Sequence, residues 1–283
     1  MSSSPFLSVW KPDLFKGKVA FITGGAGTIC RRQAEALIVL GCSVAIIGRN
    51  EEKTAKAAQE LDAMRSDVRA IGIGSCDVCK IGDLSAAVQK TTDQLGKIDF
   101  VICGAAGNFI ADFNSLSANA FKKVVDIDLL GSFNTVKACY RELKKNQGAV
   151  LFVSATFHYY GVPFQSHVGA AKAGVDALSN ALAVELGPIG VRVNAIAPGA
   201  IGGTEGYKRL SQSSKLASKI PCQRLGSTDD IAQATVFLFS DAAKYITGTV
   251  QIVDGGFWHM GPLVTADLYP GELLKRLSRE PKL

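Results

Sequence analysis

The stretch Lys18-Val19-Ala20-Phe21-Ile22-Thr23-Gly24-Gly25-Ala26-Gly27-Thr28-Ile29-Cys30 decides the fold. A short apolar run passes directly into a cluster of glycines, and a segment of helical period over 31–40 follows at once. Glycines at such a junction let the backbone approach a pyrophosphate, whose charge then faces the N-terminus of the helix. A glycine cluster by itself also fits a plain tight turn. Its place at the first strand-to-helix junction gives it weight.

The same pattern recurs along the chain. Apolar runs of strand length lie at 18–22, 43–47, 68–73, 98–103, 149–153, 191–196 and 250–253. Segments of helical period alternate with them at 31–40, 51–64, 82–95, 119–145, 165–186 and 228–239. Strands apolar on both faces, alternating with helices, are what a parallel sheet between two helical layers requires. Right-handed crossovers then give an α/β fold, a Rossmann-type doubly wound parallel sheet of about seven strands. No Pro/Gly-rich linker, repeat or low-complexity segment divides it. The expected organisation is an N-terminal lead over 1–16, a single domain over 17–262 and a C-terminal tail over 263–283.

The 283 residues are 47% hydrophobic and 20% charged, with a mean hydropathy of +0.19, which excludes a disordered or fibrous chain. The formal charge of +6 is scattered, with no basic cluster interleaved with aromatics, so no nucleic-acid partner is expected. The uncharged apolar run 36–48 is too short for a membrane span and contains Gly41 and Ser43. Residues 1–16 lack the apolar core of a secretory signal, and the seven cysteines read as reduced thiols. Cys76 and Cys79 have redox spacing, but His158, His167 and His259 are all remote from them in sequence, so no metal is expected.

The second apolar run ends at Gly48-Arg49, where an NAD enzyme would carry a ribose-binding Asp or Glu. Arg49 suits a 2′-phosphate instead, with Arg31, Arg32 and Lys53 near in sequence, which favours NADPH/NADP over NAD(H). The alternative for Arg49 is a solvated residue at a helix start. Asp77, after the third run, and Gly104-Ala105-Ala106-Gly107, after the fourth, complete a row of small or polar strand ends. Ligands bind beside such ends. With Lys172, Asn194, Pro198-Gly199 and Asp254-Gly255-Gly256, the chain resembles the short-chain dehydrogenase/reductase family from about residue 15 to residue 257. The resemblance implies a cofactor site of Gly24, Gly25, Thr28, Ile29, Arg49, Asp77, Gly104, Ala105, Lys172, Pro198 and Gly199.

In that family an Asn, a Ser, a Tyr and a Lys cooperate to reduce a carbonyl, and the Tyr gives the proton. Here the lysine is Lys172, but the tyrosine position is Val168, the serine position Ala155 and the asparagine position Asp128. The glycine loop also departs, with Thr28 and Cys30 at two usual glycines. A valine cannot move a proton, and losing a positioned acid costs about 10²–10⁴ in rate, so ordinary ketone reduction is disfavoured. One branch of the family, the 2,4-dienoyl-CoA reductases, uses another proton route. The run Gly104-Ala105-Ala106-Gly107-Asn108-Phe109 is similar to the signature of that branch. The stretches Ser154-Ala155-Thr156 and His167-Val168-Gly169-Ala170-Ala171-Lys172 resemble its peroxisomal form, which also lacks the tyrosine. The mitochondrial form has a tyrosine where this chain has Phe157.

The resemblance implies an enzyme that uses NADPH to reduce 2,4-dienoyl-CoA thioesters to 3-enoyl-CoA in β-oxidation of unsaturated fatty acids. Hydride added at the far end of the conjugated system leaves a dienolate, with its charge largely on the thioester oxygen. Donors aimed at that oxygen then matter most. By the resemblance, Asn108 takes this role, helped by a cofactor ribose hydroxyl held by Lys172, while Asp128 and Asp254 are the candidates to hold the proton for the α-carbon. Phe109 and Ser117 are expected along the substrate and Arg209 near a CoA phosphate.

These residues also fit structural roles. Lys172 could pair with Asp176 one helical turn on, Asp128 could bond to backbone, and Asn108 and Asp254 could hold turns. Arg209 could lie on a solvated helix face, and Tyr159, Tyr160, His158 and His167 carry no assignment. The competing functions are another NADPH-linked acyl-thioester or carbonyl reductase and a non-catalytic NADP-binding protein. The chain ends Pro281-Lys282-Leu283, one residue away from the Ser-Lys-Leu address read by the peroxisomal import receptor. A peroxisomal location is expected, with the cytoplasm as the alternative. Segments 119–145 and 165–186 carry apolar positions on more than one face. In the family resembled they meet a partner subunit, so a homodimer or homotetramer is expected.

Overall fold

The computed structural model describes residues 4–210, 216–260 and Lys275. Seven apolar runs form strands: β1 Val19–Thr23, β2 Ser43–Ile47, β3 Ala70–Ile73, β4 Phe100–Cys103, β5 Ala149–Val153, β6 Arg192–Pro198 and β7 Val250–Val253. They make one parallel sheet in the order β3-β2-β1-β4-β5-β6-β7. The chain winds outward from β1 to β3, then returns to place β4 on the other side of β1. That reversal opens a crevice beyond the carboxyl ends of β1 and β4, where such sheets bind ligands.

The helices are α1 Thr28–Val39, α2 Glu51–Asp62, α3 Ile81–Leu95, α4 Ala118–Val125, α5 Gly131–Asn146, α6 Phe157–Tyr160, α7 Ser166–Leu186, α8 Glu205–Leu210, α9 Leu216–Lys219 and α10 Thr228–Phe239. Strand residues point alternately to the two faces, so each strand feeds two cores. Ala20, Ile22, Val44, Ile46 and Ile102 face Leu37 and Ile38 of α1 and Val236 and Phe239 of α10. Phe21, Ala45, Ile47, Val101 and Phe152 face Leu84 of α3, Cys139 and Leu143 of α5 and Val175 of α7. Phe6 and Phe15, from the N-terminal lead, are buried in the first of these cores. None of the described helices is long and apolar enough to cross a membrane.

The segment expected as one helix over 119–145 is two, α4 and α5, joined by a π-helical stretch at Asp126–Leu130. A π turn accommodates an extra residue, a device frequent at functional sites, and here it carries Asp128. The short helices α6, α8 and α9 were not expected; none is long enough to impose a helical period on the sequence. The tail from 263 and its terminal tripeptide fall outside the described residues, Lys275 excepted.

At the start of β4 the Phe100 ring stacks on Phe239, with centroids 4.5 Å apart, and meets the Phe15 ring edge-on at 5.3 Å. The substitution Phe100→Ala is expected to cost about 3–5 kcal/mol. Urea unfolding checks this: the midpoint should fall while the slope is unchanged.

Candidate active site

At the end of β1 the chain turns through Gly24 with φ +68°. A side chain there would put its Cβ 2.7 Å from the Gly104 carbonyl oxygen, so glycine is what lets the β1 and β4 ends meet. Gly25 lies against Ile46 of β2. Gly27 caps α1 with no side-chain hydrogen bond, and no acidic residue stands in the first turn. The first intrahelical bond runs from the Arg31 N–H to the Gly27 carbonyl, 2.8 Å, so the amides of Thr28, Ile29 and Cys30 precede the helical ladder. Such an end attracts an anion.

Arg49 is exposed beyond β2 and has no ion-pair partner among the described residues. Arg31 and Arg32, expected to assist it, are engaged elsewhere. Arg31 pairs with Glu35 at 3.1 Å and Glu60 at 3.0 Å, and Arg32 pairs with Glu35 at 2.7 Å and with Asp229. The exposed Lys53 lies 3.9 Å from Glu205. Asp77, beyond β3, accepts from the Cys79 N–H at 3.1 Å. That bond holds its carboxyl below the usual carboxylate range, with Lys123 and Arg49 adding smaller pulls. Across the crevice, Gly199 follows Pro198 at the end of β6, where a Cβ would lie 2.5 Å from the Asp254 Cβ.

The candidate centre forms where β4, β5, the π turn and α7 converge. Asp128 and Lys172 are both buried, with Lys172 Nζ 3.1 Å from Asp128 Oδ2. This contact lies off the hydrogen-bonding direction; the firm hydrogen bond of the ammonium goes to the Val153 carbonyl at 2.8 Å. Asp128 Oδ1 accepts the Gly107 N–H at 2.7 Å. Lys172 therefore pairs with Asp128, and Asp176 faces other partners. Its Oδ2 accepts from the Tyr159 hydroxyl at 2.9 Å and lies 2.8 Å from His158 Nε2. Asn108 follows Gly107, and its Oδ1 is buried without a hydrogen-bond partner among the described residues. Val168 is buried against Val124 and Ala171.

Other expected site residues fall further out. Both Asp254 oxygens accept backbone amides, from Gly256 at 2.9 Å and Trp258 at 2.8 Å, which fixes the turn after β7. Phe109 is partly exposed beside Asn108. Ser117 caps α4, accepting from the Ala120 N–H at 3.2 Å. Arg209 belongs to α8, but its side chain is outside what is described. The cluster of His158, Tyr159 and Asp176 went unassigned in the sequence, where the carboxylate stands remote from both partners without a spacing that joins them.

A family model described as enoyl-(acyl carrier protein) reductase matches residues 24–258. The peroxisomal 2,4-dienoyl-CoA reductase, (3E)-enoyl-CoA-producing, of Saccharomyces cerevisiae is 62% identical over 273 residues, 95% of this chain and 94% of the relative. The enzyme of the same description from Danio rerio is 44% identical, over 89% of this chain and 85% of its own. The crystal structure of levodione reductase aligns with a TM-score of 0.81 at 29% identity, covering 87% of this chain and 99% of that one. The chain belongs to the short-chain dehydrogenase/reductase family.

Membership of the short-chain dehydrogenase/reductases implies a nicotinamide cofactor. The residues fit one: the side-chain-free cradle at Gly24 and the uncapped start of α1 leave room and donors for a pyrophosphate. The two departures in the glycine loop are also compatible with it. Thr28 is exposed in the first turn of α1, and Cys30 is accommodated because Gly104 has no side chain. A Cβ at Gly104 would fall 2.1 Å from Cys30 Sγ. The substitution Gly104→Ala is therefore expected to destabilise by about 1–3 kcal/mol through overpacking, and to weaken binding of the nicotinamide cofactor. Adding Cys30→Ala removes the opposing sulfur and should recover most of both losses. Thermal melting of the single and double variants, with and without the nicotinamide dinucleotide, checks it.

Proposed function

We propose that this chain is an NADPH-dependent 2,4-dienoyl-CoA reductase that forms 3-enoyl-CoA in the β-oxidation of unsaturated fatty acids. The observation that carries the reading is the pairing of Lys172 with Asp128 beside Val168. The site keeps the cation of its family but has an apolar residue where the proton donor of a carbonyl reductase would stand, and the relatives that share most of its sequence bear the dienoyl-CoA reductase name.

In this reading Gly24, Gly25, Thr28 and Ile29 receive the cofactor pyrophosphate, and Asp77, Gly104 and Ala105 flank the adenine side. Pro198 and Gly199 border the nicotinamide. Arg49, exposed and without an ion-pair partner among the described residues, meets the 2′-phosphate, which favours NADPH as the cofactor. The bound cofactor supplies hydride. An ammonium has three donors; one goes to the Val153 carbonyl, and with Asp128 close but off the hydrogen-bonding direction, a donor is free for the ribose. Asn108 donates to the thioester oxygen as negative charge gathers there. Asp128 relays the proton for the α-carbon through water. Asp254, the other carboxylate considered for that role, has both oxygens engaged by backbone and acts through the turn it holds. Phe109 and Ser117 border the acyl-CoA, and Arg209 meets a CoA phosphate.

The boundaries proposed are a domain over 17–262 between the lead and the tail. The import receptor reads Pro281-Lys282-Leu283 and delivers the protein to the peroxisome, the location borne in the names of its relatives. Exposed Leu130 and Phe133 near the start of α5, and Val184 on α7, support association with a second copy as a homodimer or homotetramer.

The test is NADPH oxidation by the purified protein with a short 2,4-dienoyl-CoA, a 3-oxoacyl-CoA and an NADH control. Turnover of the dienoyl-CoA with NADPH is expected. Turnover of the 3-oxoacyl-CoA alone would replace the reading with a carbonyl reductase, and NADPH binding without turnover would make this a binding protein. The substitution Asp128→Asn keeps an acceptor for Gly107 but removes the carboxylate, and is expected to lower kcat by about 10²–10⁴. The substitution Arg49→Ala removes a charge-assisted bond, typically worth about 1.5–3 kcal/mol, so NADPH should bind about 10–100-fold more weakly with NADH unaffected.

A further inference from the structure

We propose that His167 is a positioning residue for Asn108, fixing the backbone on one side of it while Asp128 fixes the other. The inference rests on the reading of Asn108 as donor to the thioester oxygen. The three residues Gly107, Asn108 and Phe109 form a strap across the end of β4. At one end the Gly107 N–H is held by Asp128 Oδ1 at 2.7 Å. At the other, the Phe109 carbonyl lies 3.1 Å from His167 Nε2 and 3.3 Å from Gln165 Nε2. The Phe109 and His167 rings also stack, with centroids 4.2 Å apart and planes 28° from parallel. Asn108 sits between two clamped peptide units, with its own amide oxygen buried and unpartnered.

The chemistry of His167 supports positioning over proton transfer. A carbonyl only accepts, so Nε2 carries the proton. Burial lowers the imidazole pKa, which favours the neutral ring and leaves Nδ1 bare. That Nδ1 is buried with no partner among the described residues, as is Gln165 Oε1. An apolar side chain would fill the same volume without stranding an acceptor, so what the imidazole contributes is its single donor and its ring face. Both are spent on Phe109. A neutral ring that donates its one proton to backbone is a poor general acid.

The test compares His167→Gln, whose amide can replace the Nε2 donor, with His167→Phe, which keeps the ring and loses the donor. It adds Asn108→Ala and the double variant. Steady-state rates are measured with NADPH and a 2,4-dienoyl-CoA on protein shown to be folded by circular dichroism. The variant His167→Phe should lower kcat about tenfold with KM changed less than about twofold, while His167→Gln stays within about threefold of the parent. In the double variant the two losses should not multiply, because His167 acts through Asn108.

Multiplying losses, or a His167→Gln variant as slow as His167→Phe, would overturn the proposal and leave the role of Asn108 standing. Parental kcat in Asn108→Ala would instead remove the reading of Asn108, and this inference with it. If His167→Phe fails to fold, His167→Asn takes its place. Its amide ends short of the carbonyl, so it should be slow where His167→Gln is not, and equal rates for the two overturn the proposal.

Discussion

Lys172 and Asp128 bring two opposite charges together where water is nearly excluded, and that contact ties four parts of the fold to one point. Lys172 comes from α7 and is bonded to the end of β5 through the Val153 carbonyl. Asp128 comes from the π turn between α4 and α5 and holds the strap after β4 through the Gly107 N–H. A buried charge is tolerated when its partner and its hydrogen bonds are in place; removing one member of such a pair costs about 3–5 kcal/mol. The position of every group around the crevice therefore depends on keeping both. An asparagine at 128 could accept the same amide but would leave the ammonium with no counter-charge.

The glycines at the two strand ends follow from the same closeness. Gly24 lets the ends of β1 and β4 meet, and Gly104 gives room to the Cys30 sulfur. Burial pushes the Cys30 thiol up to about 12, so it stays protonated and acts as a filler between strand and helix. The unusual loop sequence is thus matched by the residue opposite it. A pattern that looks degraded when read along the chain is complementary in space.

The doubly wound parallel sheet and most helices were legible because strands buried on both faces have no reason to be polar, and the helices between them must be amphipathic. The missing acid was legible only through the family resemblance, which sets the proton donor four residues before the lysine, where this chain has Val168 on the same face of α7. The π turn was not legible, because its residues continue the helical period on either side. Nor were the partners of Arg31 and Arg32. Sequence proximity to Arg49 suggested a shared task, but helix geometry turns them toward Glu35, Glu60 and Asp229. Asp254 was ambiguous for the same reason, since a carboxylate before two glycines serves a turn or a ligand equally well until its bonds are seen.

Helix α7 presents Val168, Lys172 and Asp176 at successive turns, and these three positions divide the labour of the site. Val168 closes an apolar patch with Val124, Lys172 brings the cation, and Asp176 anchors α6 through His158 and Tyr159. The tyrosines of that segment are the nearest substitutes for the missing donor, yet their surroundings oppose the role. Burial, and then the Asp176 carboxylate, push the Tyr159 phenol well above its ordinary range, and its proton already points at that carboxylate. Burial raises Tyr160 as well, and its hydroxyl lies 3.3 Å from Thr156 Oγ1. Groups that hold their protons so firmly are poor proton donors. A reaction that places its charge on a thioester oxygen, where a neutral donor can meet it, is one that needs neither tyrosine as its acid.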